Sequence, residues 1–234
     1  VTSAGPVRSD RPGDGILRLR LDRPATRNAI DTAMVDALLG ALEAPSASVV
    51  VLSSAQPGMF CSGADRDMDD GERARVSDRL YELYARMLAS PAVVLCALDG
   101  AAVGGGAQLA VAADLRLASR RASLRFVGPG HGLAVGAWAL PSLVGRGRAL
   151  DLCLTMRTVD AEEAFAIGLV EHFCEVPETA ALELAADLAA LDPDAVARVK
   201  SVAAIAAARA EALAAERDGN LRTWGGSLAG MRRG

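Results

Sequence analysis

Aromatic residues make up only 3% of this 234-residue chain. A pocket walled by stacked rings is therefore not expected, and the core has to be built from closely packed Ala, Val and Leu. Histidine is rarer still, with only His131 and His172. The four cysteines, Cys61, Cys96, Cys153 and Cys174, are scattered and form no C-x-x-C pair. No metal-ligand spacing results, and they read as small buried thiols in a reducing compartment. Positive charge is not in excess: the net charge is −4, with no basic stripe, which removes the electrostatic ground for nucleic-acid binding. No apolar run reaches the length of a membrane span. Val1 to Pro12 is polar and lacks the apolar segment of a signal peptide. Together these absences predict a soluble, cytoplasmic protein without a bound metal.

The apolar content that is present, 51% of residues, is patterned. "ILRLRLDRP" (16–24) alternates strictly, with Leu17, Leu19 and Leu21 on one face, and predicts a half-buried strand ended by Pro24. Residues 28–43 carry apolar positions at helical spacing. Runs 48–54 and 92–100 read as buried strands, 72–89 as a helix, and 114–119 and 122–126 as two further strands. Residues 147–156, 160–167, 178–191 and 194–217 read as helices, the last opened by Asp192 as cap and Pro193 as first helical residue. Strands alternating with helices, then helices alone, predict an α/β core with a parallel-rich sheet. Residues 1–13 read as a flexible N-terminal segment, 14–175 as the core and 176–234 as a helical C-terminal region.

Two glycine corners follow buried strands: "FCSGAD" (60–65) and "GAAVGGGAQLA" (100–110). Glycine lets the backbone approach a ligand closely, and a helix starting there points free N–H groups at whatever lies ahead. One amide from each corner, converging on a point, would form an oxyanion hole. A phosphate loop would need a Lys after the glycines, and a dinucleotide fingerprint would need G-x-G-x-x-G; neither is present. Tight helix–sheet packing remains the plain structural alternative.

"LDRPATRNAI" (21–30), the two corners, "LPSLVGRGRALDL" (140–152) and "VDAEEAFAIGLVEHF" (159–173) occur in the order and spacing of the crotonase, or enoyl-CoA hydratase/isomerase, superfamily. The resemblance covers roughly residues 14–228. It implies a ββα spiral with a helical C-terminal trimerisation region, forming a homotrimer or a dimer of trimers. It also implies an acyl-CoA ligand in lipid metabolism and a hydratase/isomerase (lyase) type of chemistry. No tightly bound cofactor is needed, coenzyme A being part of the substrate thioester.

By motif position, the resemblance gives the enolate-stabilising amides to Ala64 and Gly105. It sends Arg27 and Arg23 toward the nucleotide phosphates and places Ala29 along the pantetheine path, with Ser62, Ala64 and Arg66 on the other side. The family's acid/base glutamates fall at Gln108 and Gly130, with a third acidic position at Gly136. An amide has no titratable proton near neutrality, so Gln108 is expected to orient a water or bond the thioester. His131 is the titratable residue left in that stretch. Asp65 is expected to brace its loop, Asp114 to be structural, and the acidic run Asp67–Glu72 to be a solvated face. The functional expectation is therefore an acyl-CoA enzyme that stabilises an enolate without the usual glutamate pair. The alternative is a non-catalytic acyl-CoA-binding protein, and a pure scaffold ranks behind both.

Overall fold

Strict alternation in residues 16–21 produces the expected strand, and that strand sits inside a larger sheet than its neighbours suggest. The structure, a computed structural model, describes residues 5–43, 46–207 and 209–224. In chain order its elements are β1 (Val7–Gly13), β2 (Ile16–Leu21), α1 (Thr32–Leu42), β3 (Val49–Ser54), β4 (Gly58–Cys61), α2 (Asp70–Ala89), β5 (Val93–Leu98), β6 (Gly100–Val103), α3 (Gly105–Ala112), β7 (Leu115–Ala118) and β8 (Ser123–Arg125). They continue with α4 (Leu140–Val144), α5 (Arg146–Thr155), β9 (Thr158–Asp160), α6 (Ala161–Ala166), β10 (His172–Phe173), α7 (Pro177–Ala189), α8 (Pro193–Ala207) and α9 (Arg209–Trp224).

Six strands form one sheet in the order β1-β2-β3-β5-β7-β10, and four form a second in the order β4-β6-β8-β9. Apart from the β1/β2 and β8/β9 pairs, all neighbours run parallel. The mixed α/β class and the helical C-terminal region agree with the sequence reading. Both faces of the large sheet are covered. One packs on the main core, which includes α1, α2 and α3, and the other on a smaller cluster that includes Ala181 and Ala185 of α7. Burial on both faces explains why β3 and β5 are continuous apolar runs rather than alternating ones.

Several expectations are corrected. Residues 7–13 of the segment read as flexible are a strand: β1 pairs antiparallel with β2, and Asp10 accepts from Arg18 at 2.9 and 2.5 Å. Residues 1–4 lie outside the described residues. The run 92–100 is two strands in two different sheets. Its corner is held at Asp99, whose carboxylate accepts from Ser119 Oγ (2.6 Å) and Arg121 (2.6 and 2.7 Å). The expected helix 194–217 is found as α8 and α9 on either side of residue 208, which lies outside the described residues. Its expected start holds, since Asp192 Oδ1 accepts from Ala195 N at 2.7 Å. The helix expected from residue 28 begins later, at Thr32, where Asp31 caps it through Met34 N at 2.8 Å.

Candidate functional site

The two glycine corners leave the C-terminal ends of β4 and β6, which are adjacent parallel strands. They are therefore neighbours, although some forty residues separate them in sequence. Gly63 has φ +93°, and a Cβ built there would stand 2.9 Å from Val103 O and 3.8 Å from Gly105 N. Only glycine lets the first corner lie flush on the second. Gly104, the N-cap of α3, has φ 54° and ψ −116°, which turns the chain sharply from strand into helix. Gly106 serves packing: a Cβ there would meet Cys61 Cβ and O at 2.6 Å. Two of the three consecutive glycines thus answer to geometry. At the third, Gly105, a Cβ would approach Ile30 and Leu80 at 3.3 Å.

Backbone donors are left over at both corners. Ile30 and Ala64 form an isolated parallel bridge, with Ile30 N donating to Gly63 O (2.8 Å) and Asp65 N to Ile30 O (2.9 Å). Ala64's own N–H finds no acceptor among the described residues. The first helical bond of α3 runs from Gln108 N to Gly104 O at 3.0 Å. The N–H of Gly105 precedes it and, like those of Gly106 and Ala107, finds no acceptor among the described residues.

The segment before this bridge is fixed by a residue the sequence reading did not single out. Asn28 is fully buried at φ 55°. Its Oδ1 accepts from Arg23 N at 2.7 Å, and its Nδ2 donates to Ser54 Oγ at 2.8 Å and to Phe60 O at 3.0 Å. A small polar residue between Arg27 and Ala29 was the available signal, since Asn tolerates the left-handed region. Arg27 beside it is exposed, and no ion pair or side-chain hydrogen bond among the described residues ties it down. Arg23, expected toward phosphates, is spent internally. Its guanidinium binds Asp31 (3.0 Å), Asp65 (3.1 Å) and the carbonyl of Ala29. Ala29 is buried. Asp65 braces its loop as expected, accepting also from Asp67 N at 3.1 Å. Ser62 is half-buried with its hydroxyl on Thr26 O (3.2 Å), and Arg66 is exposed.

Behind Gly105 the site is closed by a polar cluster. Tyr84 Oη donates to Gly105 O at 3.0 Å, and its ring stacks on Trp138 at 5.9 Å between centroids. Gln108 is buried, and its Oε1 accepts from Trp138 Nε1 (2.9 Å) and Gly136 N (3.0 Å). Its carbonyl is therefore committed to the protein. Position 136 cannot present a side chain here: a Cβ would meet the Phe126 ring at 2.5 Å. Position 130 faces Met156, with a Cβ 3.3 Å from Sδ. His131 is exposed on the turn Pro129–His131, and no bond among the described residues joins it to Ala64, Gly105 or Gln108.

Burial pushes the Cys61 thiol up to about 12, and its Sγ rests on Asn28 O at 3.1 Å. A thiol so placed stays protonated and is no nucleophile. Burial also raises Tyr84 well above its ordinary value, which keeps its hydroxyl a donor to Gly105 O. Asp114 is structural, accepting from Val94 N (2.8 Å) and pairing with Lys200 (2.7 Å). Asp69 of the acidic run caps α2 through Glu72 N at 2.7 Å. Among the described residues no group of His, Cys, Asp and Glu has the arrangement of a metal site, and no helix is long and apolar enough to cross a membrane.

Comparison with known proteins bears on this arrangement. A family model described as enoyl-CoA hydratase/isomerase matches residues 11–226. A probable enoyl-CoA hydratase, echA6, of Mycobacterium bovis is 35% identical over 218 residues, covering 91% of this chain and 88% of that protein. The crystal structure of an enoyl-CoA hydratase from Bacillus anthracis superposes with a TM-score of 0.80 at 27% identity, over 93% of this chain and 91% of the other. A monofunctional enoyl-CoA isomerase from M. smegmatis superposes with a TM-score of 0.70 at 31% identity, over 85% and 91%.

Proposed function

The chain belongs to the enoyl-CoA hydratase/isomerase family, and from that premise we propose that it binds an acyl-CoA thioester with the carbonyl oxygen between the N–H groups of Ala64 and Gly105. The observation that carries this reading is the pair of unpartnered backbone donors on touching corners of adjacent parallel strands. Charge that develops on the thioester oxygen as an enolate forms would meet both donors at the open end of α3. A donor of this kind typically contributes about 3 kcal/mol to the transition state. Arg27, exposed and without an ion pair among the described residues, suits the CoA phosphates, with Ala29, Ser62 and Arg66 along the path to the corner. Arg23 serves that path indirectly, by locking the Ala29 carbonyl to Asp31 and Asp65.

The chemistry compatible with these residues is chemistry that asks little of a side-chain base. Gln108 holds no titratable proton near neutrality, and positions 130 and 136 carry none. Decarboxylation of a malonyl-type thioester fits. The bond from the α-carbon to the carboxylate breaks, its electron pair enters the enolate, CO₂ departs, and the α-carbon takes a proton from water. Isomerisation would need a base, for which His131 is the titratable residue of that stretch. A second reading, non-catalytic acyl-CoA binding in lipid metabolism, is favoured by one observation: the Gln108 carbonyl already accepts from Trp138 and Gly136. A trimer, or a pair of trimers, is part of the same family reading, and exposed Val199 and Val202 on α8 are residues such an assembly would cover.

Single-turnover incubation with enoyl-, 3-hydroxyacyl- and malonyl-type CoA thioesters, read by mass spectrometry, separates the readings. Conversion establishes an enzyme, and its mass change names the reaction. Gly105→Pro, which removes one donor, then abolishes turnover. Saturable binding that weakens on Arg27→Ala, with every thioester recovered intact, establishes the binding protein. No binding of any CoA thioester refutes both.

A further inference from the structure

One buried carboxylate belongs to none of the roles above. Glu216 lies on α9 and is 6% exposed. Its Oε1 accepts from Tyr81 Oη at 2.8 Å and from Gly136 N at 3.2 Å, and its Oε2 accepts from Trp138 N at 3.0 Å. Four residues along the same helical face, Asn220 donates to Tyr81 Oη and to Ala134 O, both at 2.8 Å, and accepts from Ala134 N at 2.9 Å. The irregular stretch 134–138 thus hangs on two side chains of the C-terminal helix. Buried backbone N–H groups outside helix and sheet need such partners.

We propose that Glu216 is a positioning residue of the acyl site: by gathering the N–H groups of Gly136 and Trp138 it fixes Trp138 against Gln108 and Tyr84, so that docking of α9 completes the site. The contacts form a continuous path. Glu216 holds the Trp138 backbone, the indole N–H holds Gln108 Oε1, the indole ring stacks on Tyr84, and Tyr84 Oη holds the Gly105 carbonyl. Gly136 N divides its hydrogen bond between Gln108 Oε1 and Glu216 Oε1, so the two side chains share a donor. That this site takes an acyl group rests on the reading given above; the path itself does not.

The ionised form is the one that fits. Every group bonded to the carboxylate is a donor, and an amide in its place would turn an NH₂ toward one of them, leaving it unpaired. Burial nevertheless raises the Glu216 pKa, opposed by the bonds from Tyr81 and the backbone. The titratable groups that face it are Tyr81 and Tyr84 from α2 and Cys153 from α5. Arg217, next along α9, points to the surface and pairs with Asp78 of α2 at 2.6 Å.

The test uses Trp224→Phe protein, which leaves Trp138 as the sole tryptophan, and compares it with Glu216→Gln, Glu216→Asp and Tyr81→Phe in that background. The readouts are Trp138 emission and calorimetric binding of octanoyl-CoA and of free CoA. Glu216→Gln is expected to red-shift Trp138 and weaken octanoyl-CoA at least tenfold while changing free CoA less than twofold. Glu216→Asp restores part of both, and Tyr81→Phe, which keeps the ring, gives a smaller shift. The unsubstituted carboxylate should also give Trp138 emission a titration step above pH 4.5 that Glu216→Gln removes. Unchanged Trp138 emission and octanoyl-CoA affinity in Glu216→Gln overturn the proposal, as does an equal loss for octanoyl-CoA and free CoA. If the parent protein binds neither ligand, the acyl-CoA reading falls, and Trp138 emission alone decides whether Glu216 fixes the loop.

Discussion

Replacing Asn28 by Ala tests how the candidate CoA-facing segment is held. The side chain makes three hydrogen bonds from a fully buried position: one accepted from Arg23 N, two donated to Ser54 Oγ and Phe60 O. Ser54 Oγ keeps a partner in Gln56 N at 2.9 Å, so its loss is small. The Arg23 N–H and the Phe60 carbonyl are left unpaired, at about 1–3 kcal/mol each. Residue 28 also sits at φ 55°, where Ala is disfavoured by about 1 kcal/mol relative to the more tolerant Asn. The sum is about 5 kcal/mol, a large share of the 5–15 kcal/mol typical of a folded domain. It corresponds to a fall in Tm of roughly 15 °C for a chain of this size. Urea denaturation gives the free energy directly, with calorimetric titration of an acyl-CoA on the same protein. The variant should remain folded at 20 °C and bind the ligand more weakly, because the segment that carries Arg27 and leads to the Ile30–Ala64 bridge has lost its anchor. A destabilisation below 1 kcal/mol would show that the three bonds do not hold this segment.

Other perturbations address separate features. Gly106→Ala places a Cβ 2.6 Å from Cys61 Cβ and O, and overpacking of that kind costs about 1–3 kcal/mol; a Tm equal to the parent's would refute the packing role of this glycine. Thiol labelling at pH 8 should modify Cys174 first, since it is the half-buried one, while Cys61 and Cys96 react only in urea. Labelling of Cys61 in native protein would contradict its raised pKa of about 12. The raised pKa of Glu216 has a thermodynamic sign: its folded form binds a proton more readily than its unfolded form. Its contribution is therefore fully present below the ordinary carboxylate value near 4.5 and is lost as pH rises through the folded value. Urea midpoints between pH 4 and 8 should fall more steeply with rising pH in the parent than in Glu216→Gln.

The local rules read this chain well where one element answers to one pattern. Leu17, Leu19 and Leu21 alternate and are buried, and Asp192 caps α8 where the sequence placed it. They failed where a pattern is shared between elements. An unbroken apolar run gave no sign that Asp99 diverts it into a second sheet. The polar residues 7–13 gave no sign of a strand, because an edge strand that pairs on one side needs little apolar surface. At the site, the glycine corners were legible because only glycine fits them. Gln108 was identified as an amide in place of an acid, but its partners were not, since Gly136 and Trp138 lie on a distant irregular loop and Glu216, which shares the Gly136 donor, lies on the C-terminal helix. Glu216 itself resembled any charge on an amphipathic helix; only tertiary packing distinguishes a carboxylate that collects buried N–H groups from one facing water.

The unpartnered N–H groups of Ala64 and Gly105 have an evolutionary consequence. A donor that belongs to the main chain survives every point mutation at its own position except one to proline, provided the local turn survives. Ionisable side chains nearby can be exchanged or lost while the donor pair persists. On the reading proposed above, a single carboxylate introduced at position 108 would add an acid–base group to the helix that carries the Gly105 donor while leaving that donor unchanged.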